Sequence, residues 1–334
     1  MRIAVLGLGF MGGVHLRAWR QVADVTVAAV FANDERQLTG ELTAQGNLGR
    51  PTERFDFSAV KKYRDLAPLL ADDEIDAVDL CLPTFMHEEV AVAALRAGKH
   101  VLVEKPLALD GASGRRMIAE AAKSGRILMC AQVLRFLPEY MALRNALPRL
   151  GAVRSAFFRR RCAAPAWGGW LKDPKLSGGG VFDLLIHDVD ICLHLFGRPQ
   201  SVSAVGHLDT AASLDILHGQ LHYPFGAVVV TGGWQHEGAF PFGMEYSVTT
   251  DGGTVEFSSA GRVPTLYTQA EEALPLSGVD GYDAEIAYFA ACCKEGRQPE
   301  RCLPGESSDA VELMRTLLAS REQNGRKMEC SNLG

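Results

Sequence analysis

Uninterrupted apolar runs alternate with amphipathic stretches through the first part of the chain. The runs are RIAVLG (Arg2–Gly7), VTVAAVF (Val25–Phe31), DAVDLCLP (Asp76–Pro83), HVLVEKP (His100–Pro106) and RILMCAQV (Arg126–Val133). Each is too short for a buried helix and is largely apolar, so each reads as a strand buried on both faces. The stretches between them, such as HEEVAVAALRAG ending at Gly98 and ASGRRMIAEAAKSG ending at Gly125, carry helical spacing and a glycine stop. A looser, charged segment from Gly46 to Phe57 interrupts the series. Repeated strand–helix units predict a doubly wound parallel sheet of Rossmann type, with ligands beyond the carboxyl ends of its strands.

The pattern then changes. PEYMALRNALPRLG (Pro138–Gly151) reads as a helix and AVRSAFFRRRCA (Ala152–Ala163) as a long strand. ILHGQLHY alternates, with His218, Gln220 and His222 on one face and Leu217, Leu221 and Tyr223 on the other. GAVVVTGGWQHE and MEYSVTTDGGTVEF continue it, with a hairpin turn at Asp251-Gly252-Gly253. Strands joined by short turns predict a mostly antiparallel, open-faced sheet with helices on one face. Helices near Asp283–Lys294 and Glu306–Arg321 close the chain. The expected fold is therefore α/β followed by α+β: a dinucleotide-binding domain over 1–130 and a substrate-binding and oligomerisation domain over 131–334. The uncovered sheet face predicts a homodimer or homotetramer.

Between the two patterns lies SGGGVFDLLIHDVDICLHLFG, from Ser177 to Gly197. On a helix turning about 100° per residue, Asp183, His187, Asp190 and His194 fall on one stripe about 60° wide. Ser177 is the expected N-cap and Gly197 the stop. Nearly all the other positions are apolar, with Asp188 the exception, so the helix should be buried. The polar stripe is then either a structural hydrogen-bond network or the wall of a cleft where proton chemistry occurs. A metal is a rival reading of the same spacing, but four ligands on one straight helix cannot surround an ion; no metal is expected.

The 334 residues are 47% hydrophobic and 22% charged, enough for two cored domains. The net charge of −6, with Arg159-Arg160-Arg161 the only local basic run, argues against a nucleic-acid partner. Eight cysteines without a CxxC pair suggest reduced thiols rather than a disulfide or zinc framework. The absence of a secretory leader pattern and of a membrane-length apolar run makes a cytoplasmic location the expectation.

Three stretches carry candidate chemistry. GLGFMG (Gly7, Gly9, Phe10, Met11, Gly12) stands between a strand and a helix, the context of a dinucleotide fingerprint. After the second strand come Ala32-Asn33-Asp34, where an acid directly at the strand end would favour NAD. Asn33 is a candidate ribose contact and Arg36 a candidate for a 2′-phosphate, equally with a plain polar turn. NAD and NADP both stay open. At the carboxyl end of a later strand, Glu104-Lys105-Pro106 projects an ammonium toward the cofactor cleft, where Lys105 can hold a substrate hydroxyl. Proline there restricts Lys105 and permits a cis bond. Trp167 and Trp170, in a glycine-rich loop, are equally candidates for sugar-ring contacts and for loop anchors. Arg159, Arg161, Trp234 and His236 are weaker candidates.

Taken together these motifs resemble the Gfo/Idh/MocA oxidoreductase family over the whole chain. GLGFMG matches its glycine loop, and Leu82-Pro83-Thr84-Phe85-Met86-His87 resembles its TPNxxH segment. Glu104-Lys105-Pro106 matches its EKP motif, and Arg135-Phe136 follows the sixth strand as in the family. Gly178–Gly180, Asp183, His187 and Asp190 match its GGG…DxxxHxxD pattern. The resemblance implies a catalytic set of Lys105, Asp183 and His187. It implies cofactor contacts from the glycine loop, Asn33, Pro83, Thr84, His87, Glu104, Lys105 and Pro106, and substrate contacts from Lys105, Arg135, Trp170, Asp183 and His187. Asp190 and His194 take supporting roles. Leu82, Thr84 and Ala32 depart from the family pattern. The implied activity is NAD(P)-dependent hydride transfer at a secondary hydroxyl of a sugar or cyclic polyol. A cofactor-retaining hydrolase or lyase, or a non-enzymatic dinucleotide or sugar sensor, is the alternative.

Overall fold

The computed structural model describes residues 1–42, 53–166 and 168–330. Much of the charged segment expected over Gly46–Phe57, and Trp167, lie outside the described residues. Two compact units are present: Met1–Val133 with Asp280–Ser308, and Leu134–Val279 with Asp309–Gly334. The single cut expected after residue 130 is corrected by the return of 280–308 to the first unit. The reason is packing. Helix Gly281–Glu295 lays Phe289 edge-on against Trp19 of helix Phe10–Trp19, ring centroids 6.3 Å apart, and both rings are buried. Such a non-local return leaves no mark in hydrophobic periodicity.

In the first unit, strands β1 (Arg2–Leu6), β2 (Thr26–Phe31), β3 (Lys61–Tyr63), β4 (Ala77–Leu80), β5 (His100–Glu104) and β6 (Leu128–Ala131) form one sheet in the order β3-β2-β1-β4-β5-β6. Every pairing is parallel. Ile3 to Leu6, Ala77 to Leu80 and Leu128 to Ala131 are all buried, as strands covered on both faces require.

The second unit carries a nine-stranded sheet. Its strands are β7 (Val153–Ala163), β8 (Ser201–Asp209), β9 (Leu214–Tyr223), β10 (Gly226–His236), β11 (Gly243–Thr250), β12 (Gly253–Ser258), β13 (Arg262–Tyr267), β14 (Glu271–Ala273) and β15 (Met328–Glu329). They are ordered β14-β13-β12-β11-β7-β10-β9-β8-β15. All neighbours run antiparallel except β7 and β10. Alternation along β7 buries Ala156, Phe158, Arg160 and Cys162 on the face that meets helix Gly180–Phe196. The opposite face presents a row formed by Ser247, Phe157, Val229 and Gln220 across four adjacent strands. Among the described residues no helix is long and apolar enough to cross a membrane.

The central helix starts later than Ser177 predicts. Ser177 ends a short turn, Pro174–Ser177, and its hydroxyl donates to the Leu171 carbonyl at 2.7 Å. Gly179 occupies the cap position at φ +96°, a conformation that disfavours a side chain. A Cβ on Gly180 would stand 2.4 Å from the Trp234 ring, so the helix enters hard against the sheet. The acceptor for the first turn comes from elsewhere: Val181 N–H donates to Asp215 Oδ2 at 2.9 Å, while Arg321 donates to Asp215 Oδ1 at 2.6 Å. A cap borrowed from a distant strand is invisible to a local sequence signal.

Asp215 thus joins the helix start to a buried guanidinium. Asp215→Ala is expected to lower stability by about 2–4 kcal/mol, because an orphaned charge adds to the lost cap. Asp215→Asn keeps an acceptor for Val181 and should cost less. Equilibrium urea denaturation of both variants checks the order.

Candidate functional site

The carboxyl ends of β1, β4, β5 and β6, four adjacent strands, carry the glycine loop, Pro83-Thr84, Lys105 and Gln132 in that order. The three glycines differ in what they permit. Gly7 has φ +93°, and a Cβ there would meet the Cys81 carbonyl oxygen at 2.3 Å. A Cβ on Gly12 would meet the Gly7 carbonyl oxygen at 2.0 Å, so the helix and strand touch through bare backbone. Nothing lies within 4 Å of a Cβ on Gly9, which leaves the loop open at its centre. Gly9 also caps helix Phe10–Trp19 with no side-chain acceptor, so first-turn N–H groups point out of the loop. An open loop at an uncapped helix start fits a diphosphate. Phe10 and Met11 flank it, half-buried.

Asn33 follows β2 and is exposed, with its carbonyl accepting from Arg64 at 3.5 Å. The neighbouring Asp34 carboxylate accepts from the Arg36 N–H at 2.9 Å and so closes a turn. Thr84 is buried, and Pro83 opens the short turn Thr84–Met86.

His87 is expected at the cofactor, but both its ring nitrogens sit on main-chain carbonyls, Nδ1 at 2.8 Å from Pro106 O and Nε2 at 2.9 Å from Leu82 O. It ties the Leu82-Pro83 turn to the Lys105-Pro106 turn and is 1% exposed. Burial holds its pKa below the usual value, against the pull of the two carbonyls. A neutral ring has one N–H and serves one carbonyl at a time.

Glu104, also expected at the cofactor, is buried and engaged within the chain. Its Oε2 accepts from the Lys105 N–H at 2.9 Å, and its Oε1 lies 3.0 Å from His15 Nε2. The Lys105–Pro106 peptide is cis, and Lys105 itself is half-buried at the strand tip. Gln132 was not singled out from the sequence. It is 1% exposed, and its amide oxygen and nitrogen have no hydrogen-bond partner among the described residues. An unmatched buried amide costs about 1–3 kcal/mol, which a bound group beyond β6 would relieve.

In the second unit the stripe on helix Gly180–Phe196 divides. Asp183, His187 and His194 are half-buried, whereas Asp190 is fully buried. Asp190 takes a two-pronged pair from Arg135, Nε to Oδ2 at 2.8 Å and Nη2 to Oδ1 at 2.7 Å. Arg135, expected at the substrate, is 0% exposed, and this pair ties its guanidinium to the helix. Asp188, the polar residue off the stripe, meets Arg160 of β7 at 2.8 Å, and Arg160 also donates to the Tyr140 hydroxyl at 3.2 Å. Burial raises the Asp188 pKa, and Arg160 works against that rise. Of the arginine run, the middle residue is therefore the buried one; Arg159 pairs with Glu245 and Arg161 lies over Phe240. Trp234 belongs to a core cluster with Cys162 and Leu184, and His236 stacks on Phe240. Trp170 is half-buried in the turn Gly169–Lys172. Asp183 and His187, one turn apart, and His194 each keep part of their surface exposed.

Comparison with known proteins agrees with this geometry. Residues 1–132 match the family model described as an oxidoreductase family with an NAD-binding Rossmann fold, and residues 144–256 match the GFO/IDH/MocA C-terminal domain. The chain is 28% identical over 319 residues to a 4-carboxy-2-hydroxymuconate-6-semialdehyde dehydrogenase of Sphingobium, covering 90% of this chain and 92% of the relative. It is 28% identical over 335 residues to a D-xylose 1-dehydrogenase (NADP(+)) of Haloferax volcanii, covering 96% and 97%. A scyllo-inositol 2-dehydrogenase (NADP(+)) of Bacillus subtilis is 30% identical over 214 residues, 62% of each chain. The fold is shared with a Caulobacter crescentus aldose-aldose oxidoreductase solved with glycerol, at a TM-score of 0.84, 22% identity and coverage of 98% and 99%. The nicotinamide cofactor is thus NAD or NADP, and the chain belongs to the Gfo/Idh/MocA family of oxidoreductases.

Proposed function

We propose that this protein is a dehydrogenase of a sugar or cyclic polyol, with Lys105, Asp183 and His187 as its working residues. The observation that carries the reading is the alignment, on adjacent parallel strands, of an open glycine loop and a lysine-bearing turn clamped through Glu104 and His87. Gly7, Gly9, Phe10, Met11 and Gly12 hold the diphosphate, and Asn33 meets the adenosine ribose. Pro83, Thr84 and the Glu104-Lys105-Pro106 turn border the nicotinamide half. When bound, the nicotinamide accepts or returns a hydride at the substrate carbon.

The protein's own groups then handle oxygen and proton. His187 takes the hydroxyl proton of the carbinol. Lys105 donates a hydrogen bond to the oxygen as negative charge develops on it. Asp183, one helical turn before His187, orients the substrate, with Trp170 as a candidate ring contact.

Purified protein should reduce NAD or NADP with some member of a panel of aldoses, cyclic polyols, sugar phosphates and semialdehyde acids. Lys105→Met and His187→Ala are each expected to lower kcat by about 10²–10⁴-fold. Turnover close to wild type in both variants would overturn the assignment. Product formed without net cofactor change would instead indicate a retained cofactor.

We further infer a cytoplasmic homodimer or homotetramer, assembled through the sheet face that bears Phe157 and Val229. Half-buried apolar side chains on one sheet face suit a partner subunit. Val229→Glu should shift the sedimentation coefficient toward that of a monomer, whereas an unchanged assembly would place the interface elsewhere.

A further inference from the structure

The first unit buries a chain of charged groups that the reaction does not itself require. His15 lies on helix Phe10–Trp19 and is 0% exposed; Asp79 lies on β4, also 0% exposed; Glu104 ends β5 and is 6% exposed. His15 Nδ1 stands 2.9 Å from Asp79 Oδ2 and 3.0 Å from Oδ1, while Nε2 stands 3.0 Å from Glu104 Oε1. Trp19 Nε1 donates to Asp79 Oδ2 at 2.7 Å and fixes that carboxylate. The second oxygen of Glu104 accepts from the Lys105 N–H.

Nδ1 is hydrogen-bonded to Asp79, whereas Nε2 meets Glu104 at ion-pair distance without hydrogen-bond alignment, so the Glu104 contact is one of charge and is favourable only when the ring is an imidazolium. Burial pushes His15 down, while Asp79 and Cys81 beside it together pull it up, so its pKa stands well above the usual value. Cys81, the remaining titratable group beside it, is pushed up to about 12 by burial and by Asp79, and so stays a neutral thiol.

We propose that the buried relay Asp79–His15–Glu104 positions Lys105: His15 bridges the two carboxylates as an imidazolium and fixes Glu104, whose other oxygen fixes the backbone that carries the ammonium. The proposal rests on the reading of Lys105 as a working residue. Removing the imidazolium leaves Glu104 with one anchored oxygen at most and two buried carboxylates without a cation between them. His87 holds the same turn from the opposite side through Pro106 O. Lys105 is thereby approached through main chain on both flanks.

A metal is the rival occupant, since ligand atoms of His15, Asp79 and Cys81 lie within 4.8 Å of one another. The His15–Asp79 separation is that of a hydrogen bond, and Trp19 already donates into the same carboxylate, which favours the proton.

The test compares wild type with His15→Gln, Glu104→Gln and Lys105→Met. His15→Gln and Glu104→Gln should lower kcat about tenfold or more with KM for the dinucleotide within about twofold, the pattern of lost transition-state positioning. In wild type, ring-nitrogen NMR should show one histidine that stays protonated well above the ordinary histidine range. The sign follows from the raised value. The relay is complete below the ordinary pKa of about 6.5 and is lost as pH rises through the folded one. The alkaline limb of wild-type kcat should therefore shift in both relay variants.

If Lys105→Met is inactive while folded His15→Gln and Glu104→Gln match wild type in kcat and pH profile, the positioning role is wrong and the lysine reading stands. If Lys105→Met is active, the lysine reading itself fails. Should His15→Gln not fold, Glu104→Gln and the wild-type NMR decide, and a His15 ring neutral at about pH 7 overturns the relay. Stoichiometric metal in the purified protein also overturns it.

Discussion

Charge withdrawn from water must be paired at short range, and in this protein that requirement organises both units. Isolated carboxylates or guanidinium groups would cost several kcal/mol each in these interiors. Each of the buried pairs described here is also a tie between elements distant in sequence. Asp79 on β4 and Glu104 on β5 meet on His15 of the first helix. Arg160 of β7 and Arg135 each take one carboxylate of the central helix, and Asp215 serves both Val181 and Arg321. Apolar packing alone tolerates small rotations of a helix on a sheet. Two-pronged guanidinium–carboxylate pairs do not, because their geometry fixes direction as well as distance.

That division of labour distinguishes the polar residues of the central helix. Along helix Gly180–Phe196 the carboxylates at 188 and 190 are consumed by arginines, while Asp183 and His187 keep part of their surface accessible. The arginine pairs set the rotation of the helix about its axis, and with it the direction in which Asp183 and His187 project. Asp183 also lies in the first turn, where a negative charge is favoured by the helix dipole. On β5 the same logic applies at one residue's remove. Glu104 is held inside, and Lys105 extends from a turn whose main chain has no slack.

Much of this architecture was legible in the order of residues. The parallel sheet declared itself through unbroken apolar runs, and the antiparallel sheet through alternation such as that of Leu217, Leu221 and Tyr223 against His218, Gln220 and His222. The glycine loop, the lysine turn and the stripe on the central helix were equally visible, because their spacing is local. Partner choice was not. Arg135 carries the composition of an anion-binding residue, and only the fold reveals that Asp190 has already taken it. His87 matches a motif position, yet both its ring nitrogens face main-chain carbonyls, one of which it serves at a time. His15 reads as one more residue of an amphipathic helix, because its partners stand 64 and 89 positions further along the chain. The start of the central helix misled for the same reason, since a cap supplied by Asp215 from a neighbouring strand leaves no signature beside Ser177.

A hydride-transferring site needs two properties that conflict. The groups that meet the substrate must be reachable, yet a displacement of about an ångström can cost around a hundredfold in rate. Long side chains such as lysine are poorly suited to this, because their freedom lies in the side chain itself. Fixing the backbone on both flanks removes the part of that freedom which the protein can control without touching the ammonium. In this chain Glu104 holds the Lys105 N–H and His87 approaches the following carbonyl, so the constraint acts entirely through main-chain atoms. The precision of the ammonium's origin is then inherited from groups that are themselves buried. On this view the conspicuous lysine is the outermost member of a network whose decisive members lie in the core.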